Sequence, residues 1–212
     1  MSYNVSLPSY SVGTDVYKLV GSICAGYGHK AVAIGGHKAM AAVKDKLCKA
    51  IIDSDIEISD FIWYGGEASY ENVENLMSLE TVRNADMLFA IGGGKATDTV
   101  KTLADMTGKP VFTFPTIASN CSSCTSVSIM YKNNGIFLKP HFFANPPAHA
   151  FIDTEIIADS PKRYMWAGIG DTYAKHFESS ISSRGEEVPH YIALGVNIAR
   201  MCYEPMLKYG RK

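Results

Sequence analysis

Met87-Leu88-Phe89-Ala90-Ile91-Gly92-Gly93-Gly94-Lys95-Ala96-Thr97-Asp98 is the stretch whose reading decides the fold. Five apolar residues in an unbroken run suit a strand buried on both faces. The glycines then turn the chain, and Ala96, Val100, Leu103 and Ala104 recur at helical spacing. The same strand, turn and helix occur twice upstream. Ala31-Val32-Ala33-Ile34 runs into Gly35-Gly36 and the stripe Met40, Val43, Leu47, Ile51. Phe61-Ile62-Trp63-Tyr64 runs into Gly65-Gly66 and then Val73, Leu76 and Met77. Continuous apolar strands, each followed by a helix, predict an α/β fold with a parallel sheet covered on both faces.

Farther from that centre the pattern changes. Pro110-Val111-Phe112-Thr113-Phe114-Pro115 predicts a fourth strand, with prolines where strand ends tolerate them. Upstream, Val12, Val16, Leu19, Val20 and Ile23 predict an opening helix over Ser11 to Ala25. Downstream, residues 127–131 and 136–138 around Lys132-Asn133-Asn134-Gly135 predict a hairpin, and Ala148 to Asp153 one more strand. Helices are expected over Arg163 to Ser180 and Pro189 to Leu207, so Pro161 marks the expected start of a second, helical domain.

The composition excludes several classes of function. With 212 residues, 47% hydrophobic and 19% charged, the chain can bury a core. A net charge of -1 and no Lys/Arg block offer nothing to a phosphate backbone, so no nucleic-acid partner is expected. The N-terminus lacks an apolar signal core and no long apolar run occurs, so no membrane partner is expected and the cytoplasm is the default address. The odd count of five cysteines in a chain of this size reads as reduced thiols.

A glycine turn between a buried strand and a helix lets the backbone and the helix N-terminus approach an anion. Gly92-Gly93-Gly94-Lys95 is not a Walker A loop, because Phe89 and Ala96 stand where glycine and Ser/Thr belong. It is not G-x-G-x-x-G, because Thr97 takes the third glycine's place. On the glycines alone, a tight turn that binds nothing stays open.

Three motifs in order narrow this: Gly92 to Asp98, then Pro115-Thr116-Ile117-Ala118-Ser119, then Ala167-Gly168-Ile169-Gly170-Asp171. Together with Gly65-Gly66-Glu67 and Asn145-Pro146 they resemble the metal-dependent glycerol dehydrogenase branch of the iron-containing alcohol dehydrogenases. The resemblance implies a Rossmann-like NAD(P)-binding domain over 1–160 and the start of an all-α metal and substrate domain over 161–212, an architecture shared with dehydroquinate synthases. It implies NAD or NADP as cofactor, with Gly93, Gly94, Lys95 and Asp98 around the pyrophosphate and nicotinamide ribose. Thr116, Ser119, Thr125, Val127 and Tyr131 would line the rest of the groove. His37 stands where members preferring NAD carry an acid for the adenosine ribose, and with Lys38 it would attract a 2′-phosphate.

The resemblance also makes Asp171 a ligand of a divalent metal, Zn or Fe in the full-length enzyme. The two histidines that complete the family's site have no equivalent among these 212 residues, which implies a chain truncated within the second domain and inactive alone. Cys121 falls where the glycerol enzymes place a substrate-binding aspartate, so glycerol, another polyol and a 2-oxo acid all stay open. The expected partner is a small alcohol or carbonyl, a homo-oligomer is compatible with the sequence, and no residue stands out as a catalytic acid or base.

Blander readings stand beside these. Asp98 and Asp171 suit helix starts, and Asp171 can pair with Lys175. Thr125 and Tyr131 suit a strand, His37 and Lys38 a solvated helix, and His176 and His190 a surface or packed position. Cys121-x-x-Cys124 could be redox-active or half a zinc site. A dehydroquinate-synthase-like lyase and a non-catalytic nucleotide-binding remnant are the rival functions.

Overall fold

A computed structural model describes residues 4–185 and 187–210. Residues 6–117 and 121–160 form one compact unit, and residues 4–5, 118–120 and 161–210 form another.

The first unit is built on a six-stranded parallel sheet. Its strands are Tyr10–Gly13 (β1), Lys30–Gly35 (β2), Glu57–Trp63 (β3), Met87–Gly92 (β4), Val111–Pro115 (β5) and His149–Asp153 (β8), in the order β1-β8-β5-β4-β2-β3. Val127–Tyr131 (β6) and Phe137–Phe142 (β7) pair antiparallel as a separate hairpin. The helices are Val20–Cys24 (α1), His37–Ile51 (α2), Tyr70–Ser78 (α3), Glu80–Asn84 (α4), Gly94–Thr107 (α5) and Thr154–Ala158 (α6).

Alternation along the pleat sends neighbouring residues to opposite faces. Ala31, Ala33, Phe89, Ile91, Phe112 and Phe114 join Val43 and Leu47 of α2 on one side. Val32, Ile34, Leu88 and Ala90 join α3 and α5 through Val73, Leu76, Val100 and Leu103 on the other. Phe114 is sandwiched between Phe89 and Phe151, with ring centroids at 4.9 and 5.0 Å. Each such side chain contributes about 1.5–3 kcal/mol by leaving water.

The expected opening helix is corrected. Tyr10–Gly13 is an edge strand parallel to β8, and helix begins only at Val16, first as a 3-10 turn and then as α1. One long-range and one local cause outweigh the helical spacing. The hydroxyls of Ser9 and Ser11 hydrogen-bond the two nitrogens of buried His149, at 2.7 and 3.0 Å, and Gly13 takes φ +152. The spacing does hold for the second half, where Val16, Val20 and Cys24 are in the core.

β3 lies on one flank of β2 and β4 on the other, so the strand order reverses between β2 and β4. A parallel sheet opens a crevice at the carboxyl ends of its strands at such a point. Both strands end there in glycine. A Cβ on Gly35 would lie 2.2 Å from the carbonyl oxygen of Ile91, and Gly92, at φ +141, faces Ala39 and Ala96. Only backbone without side chains lets the two turns close up this way.

In the second unit, Lys162–Ser182 (α7) packs against His190–Tyr209 (α8). Tyr173, His176 and Phe177 surround Tyr203. Trp166, Phe177, Ile181, Met201 and Leu207 are exposed. No helix among the described residues is long and apolar enough to cross a membrane.

Candidate functional site

The glycine turn caps α5 with Gly93, which has no side chain to bond the first-turn amides, and no acidic residue stands in that turn. α2 starts the same way from Gly36, with His37 and Lys38 as its first residues. By contrast, Ser69 and Asp153 close the N-termini of α3 and α6 with their side-chain oxygens. Two helix N-termini therefore present N–H groups and partial positive charge at the β2/β4 crevice. A Cβ on Gly93 would meet the Ile117 side chain at 2.5 Å, so glycine is needed for the turn to lie against the chain leaving β5.

Lys95 is exposed, and its Nζ is 2.7 Å from Oε2 of Glu67, a carboxylate only 12% exposed. The hydrogen bond to Glu67 pushes the Lys95 pKa up, with the Glu67 charge also raising it, so the residue is a held cation. Tyr64 and Tyr131 act on the same charge, and the Tyr64 hydroxyl donates to the carbonyl of Gly66 at 2.9 Å. Thr116 is buried, and its amide donates to the Gly92 carbonyl at 3.4 Å. The His37 ring stacks on exposed Trp63 at the end of β3, 5.6 Å between centroids and 12° between planes.

A second cluster lies along α5. Asp98 is buried and its carboxylate turns inward: Oδ1 accepts from the Ser122 hydroxyl at 2.6 Å, and Oδ2 from the Ile129 amide at 3.1 Å. Lys101, buried one turn later, lies 3.1 Å from Asp98 Oδ1. Its Nζ donates to the carbonyls of Ser122, Thr125 and Val127 at 2.8, 3.3 and 2.5 Å, and to the Thr125 hydroxyl at 3.3 Å. Burial pushes the Lys101 pKa down, and Asp98 opposes it. Cys121 is exposed at the start of a 3-10 turn, Ser122–Cys124, beside this cluster.

The structure thus gathers Gly93, Gly94, Lys95, Thr116 and Tyr131 about the glycine turn and puts His37 at the adjoining one. Asp98, Thr125, Val127 and Cys121 gather instead about Lys101. Ser119 and Asp171 belong to the other unit. There α7 runs against the 118–120 segment so closely that a Cβ on Gly168 would lie 1.7 Å from the Ala118 carbonyl oxygen. The expectation that Asp171 begins a helix is corrected. α7 starts nine residues earlier, at Lys162, so the helix dipole does not explain Asp171, whereas the Lys175 pairing is present at 3.7 Å. His176 is a packed histidine against Tyr203 and Phe177.

The two glycine-capped turns leave their amides unblocked by any side-chain cap or first-turn acid, which suits an anionic group. A metal is another matter: no group of three His, Cys, Asp or Glu residues that could hold an ion occurs among the described residues. Asp171 alone falls short of the three or so protein ligands a catalytic metal takes. Glu67, Trp63 and Tyr64 stood in the quoted motifs without a site role, and Lys101 was not singled out. Glu67 carried a signal, as an acid directly after a glycine pair, and so did Lys101, as a cation one helical turn after Asp98.

The family model for iron-containing alcohol dehydrogenase matches residues 8–154. A glycerol dehydrogenase of Thermotoga maritima is 40% identical over 152 residues, covering 69% of this chain and 41% of that protein. One of Escherichia coli O6:H1 is 30% identical over 209 residues, covering 96% and 56% respectively. The crystal structure of a probable glycerol dehydrogenase from Sinorhizobium meliloti 1021 aligns with a TM-score of 0.82 at 25% identity, covering 98% of this chain and 58% of that one. The chain spans about half the length of the curated relatives it matches.

Proposed function

Because this chain belongs to the iron-containing alcohol dehydrogenase family, we propose that its first unit binds NAD or NADP across the crevice between β2 and β4. In the whole protein it would serve the oxidation of a small alcohol or the reduction of its carbonyl. The observation that carries this reading is the pair of glycine-capped helix N-termini at the point where the strand order reverses.

Gly93 and Gly94 would receive the pyrophosphate on backbone amides, where no side chain intrudes. Lys95 would add a positive charge beside it, its exposed ammonium oriented by Glu67. Thr116 and Tyr131 line the same turn. Thr125 and Val127 would act from the loop that Lys101 braces, and Ser119 from the segment against α7. Asp98 would then act indirectly, since both its oxygens are already engaged. His37, flat on Trp63, would meet the adenosine ribose or its 2′-phosphate. The bound dinucleotide supplies the hydride acceptor or donor, and the residues around it bind and orient without competing chemistry. Asp171 would contribute one carboxylate to a divalent metal such as Zn or Fe. The described residues do not complete that site, so no step is assigned to it. Cys121 in the substrate position disfavours a polyol and favours a small carbonyl compound.

Calorimetric titration with NAD⁺, NADP⁺ and their reduced forms tests the proposal. Saturable binding of at least one is expected, and Gly94→Val weakens it by about tenfold or more, because a branched side chain fills the pyrophosphate's place. A well-folded chain that binds none of the four overturns the reading.

A further inference from the structure

We propose that Cys121 and Cys124 form a dithiol site that a low-molecular-weight disulfide of the glutathione type oxidises to an intramolecular disulfide, and that this oxidation weakens dinucleotide binding in the adjoining groove.

The geometry is set by the 3-10 turn between the two thiols. The amide of Cys124 donates to the carbonyl of Cys121 at 3.0 Å. A reversal closed by an i to i+3 hydrogen bond keeps its outer Cα atoms within about 7 Å, and a disulfide needs roughly 4.4–6.8 Å. The turn therefore brings the pair to the edge of the disulfide range, and closing the bond takes a small contraction of the turn. The two residues differ in a useful way: Cys121 is exposed and open to attack on a small disulfide, while Cys124 is half-buried behind it. The Lys101 ammonium lies within electrostatic reach of both thiols. Burial pushes the Cys124 pKa up, and the Ser123 hydroxyl and Lys101 work against that rise. The zinc alternative finds no support, since the pair belongs to no ligand group among the described residues.

The chemistry balances without any further reagent. The Cys121 thiolate attacks one sulfur of glutathione disulfide, whose S–S bond breaks and releases one glutathione thiolate. Cys124 gives its proton to solvent and attacks Sγ of Cys121, releasing the second glutathione. Two protein thiols are oxidised and one small disulfide is reduced.

The consequence for the groove follows from Lys101. Its ammonium ties the carbonyl of Ser122, inside the dithiol turn, to those of Thr125 and Val127. Drawing Cys124 toward Cys121 pulls on the segment that carries the proposed groove residues. This second step rests on the dinucleotide reading given above, whereas formation of the disulfide does not.

The test is incubation of the chain at graded ratios of oxidised to reduced glutathione, alkylation and peptide mass analysis. The peptide holding both cysteines is expected to lose the mass of two hydrogen atoms and to regain it with dithiothreitol. Cys121→Ser abolishes the change, and Cys124→Ser leaves a glutathione adduct on Cys121. Absence of the internal disulfide, or an adduct in the unaltered chain that Cys124 never resolves, overturns the proposal. Titration of reduced and oxidised chain with NAD⁺ and NADP⁺ is expected to show a loss of about tenfold or more on oxidation. Equal affinities overturn the switch. A reduced chain that binds neither nucleotide overturns both the switch and the dinucleotide reading, while the mass data still decide the disulfide.

Discussion

An ammonium taken out of water costs several kcal/mol unless charge and hydrogen bonds restore what it lost. Lys101, with a side chain 1% exposed, recovers this from Asp98 and from oxygens of Ser122, Thr125 and Val127. Removing the ammonium leaves Asp98 buried without its counter-charge. Lys101→Met is therefore expected to lower the unfolding free energy by about 3–5 kcal/mol, measured by urea denaturation. An unchanged midpoint and slope would mean that the cluster does not brace the loop. The sequence could not have announced this role in full. Lys101 and Asp98 stand one turn apart on a helix and suggest a pair, but the carbonyls that hold the lysine lie 21 to 26 residues further on. No periodicity encodes a meeting between a helix side chain and a loop backbone.

Elements differ in how openly they declare themselves. β2, β4 and β5 are buried along nearly their whole length, so their apolar runs were read directly. β1 is an edge strand with half of its residues exposed, and Val12 happens to continue the helical spacing of Val16 and Val20. What makes it a strand is His149 on β8, too distant for any local pattern to reveal. That attachment has a pH signature. Burial lowers the His149 pKa from its ordinary 6.5. As pH falls below that value the unfolded chain takes up the proton first, so the stability present above about pH 6.5 declines through the interval down to the depressed folded value. His149→Gln should remove this component. Comparing unfolding free energies of the chain and the variant between about pH 7.5 and pH 5.5 checks it, with parallel lines as the contrary result.

On the scale of the whole molecule, the two units present different surfaces. The sheet unit closes its core on both faces, while α7 and α8 leave Trp166, Phe177, Met201 and Leu207 in contact with solvent. Exposed apolar surface of that kind marks places where other protein normally sits. The helical unit also supplies Asp171 without companions that would make a metal centre among the described residues. The 212-residue chain is accordingly expected to show no alcohol oxidation or carbonyl reduction with NAD(H) or NADP(H), whether or not Zn or Fe is added. Following dihydronicotinamide absorbance with a panel of small alcohols and carbonyls tests this, and turnover that survives a chelator would remove Asp171 from the proposal. The family and the parallel sheet were legible because three motifs and three strand-turn-helix units repeat a simple pattern. The inward turn of Asp98 was not, because its partners Ser122 and Ile129 lie 24 and 31 residues further on.

The order of strands also dictates an order of assembly on the ribosome. β2, β3, β4 and β5 emerge in sequence and, from β3 on, each finds a neighbour among those already made, so the crevice between β2 and β4 is complete early. β1 is synthesised before all of them yet pairs with β8 alone, about 140 residues later. At translation rates of about 5–20 residues per second, that strand waits on the order of ten seconds for its partner. Of the six sheet strands, the first in sequence is thus the last to find its partner. A bulky fusion at the N-terminus would therefore burden the final step and leave the edge of β8 bare, while sparing the glycine turns already docked at the centre.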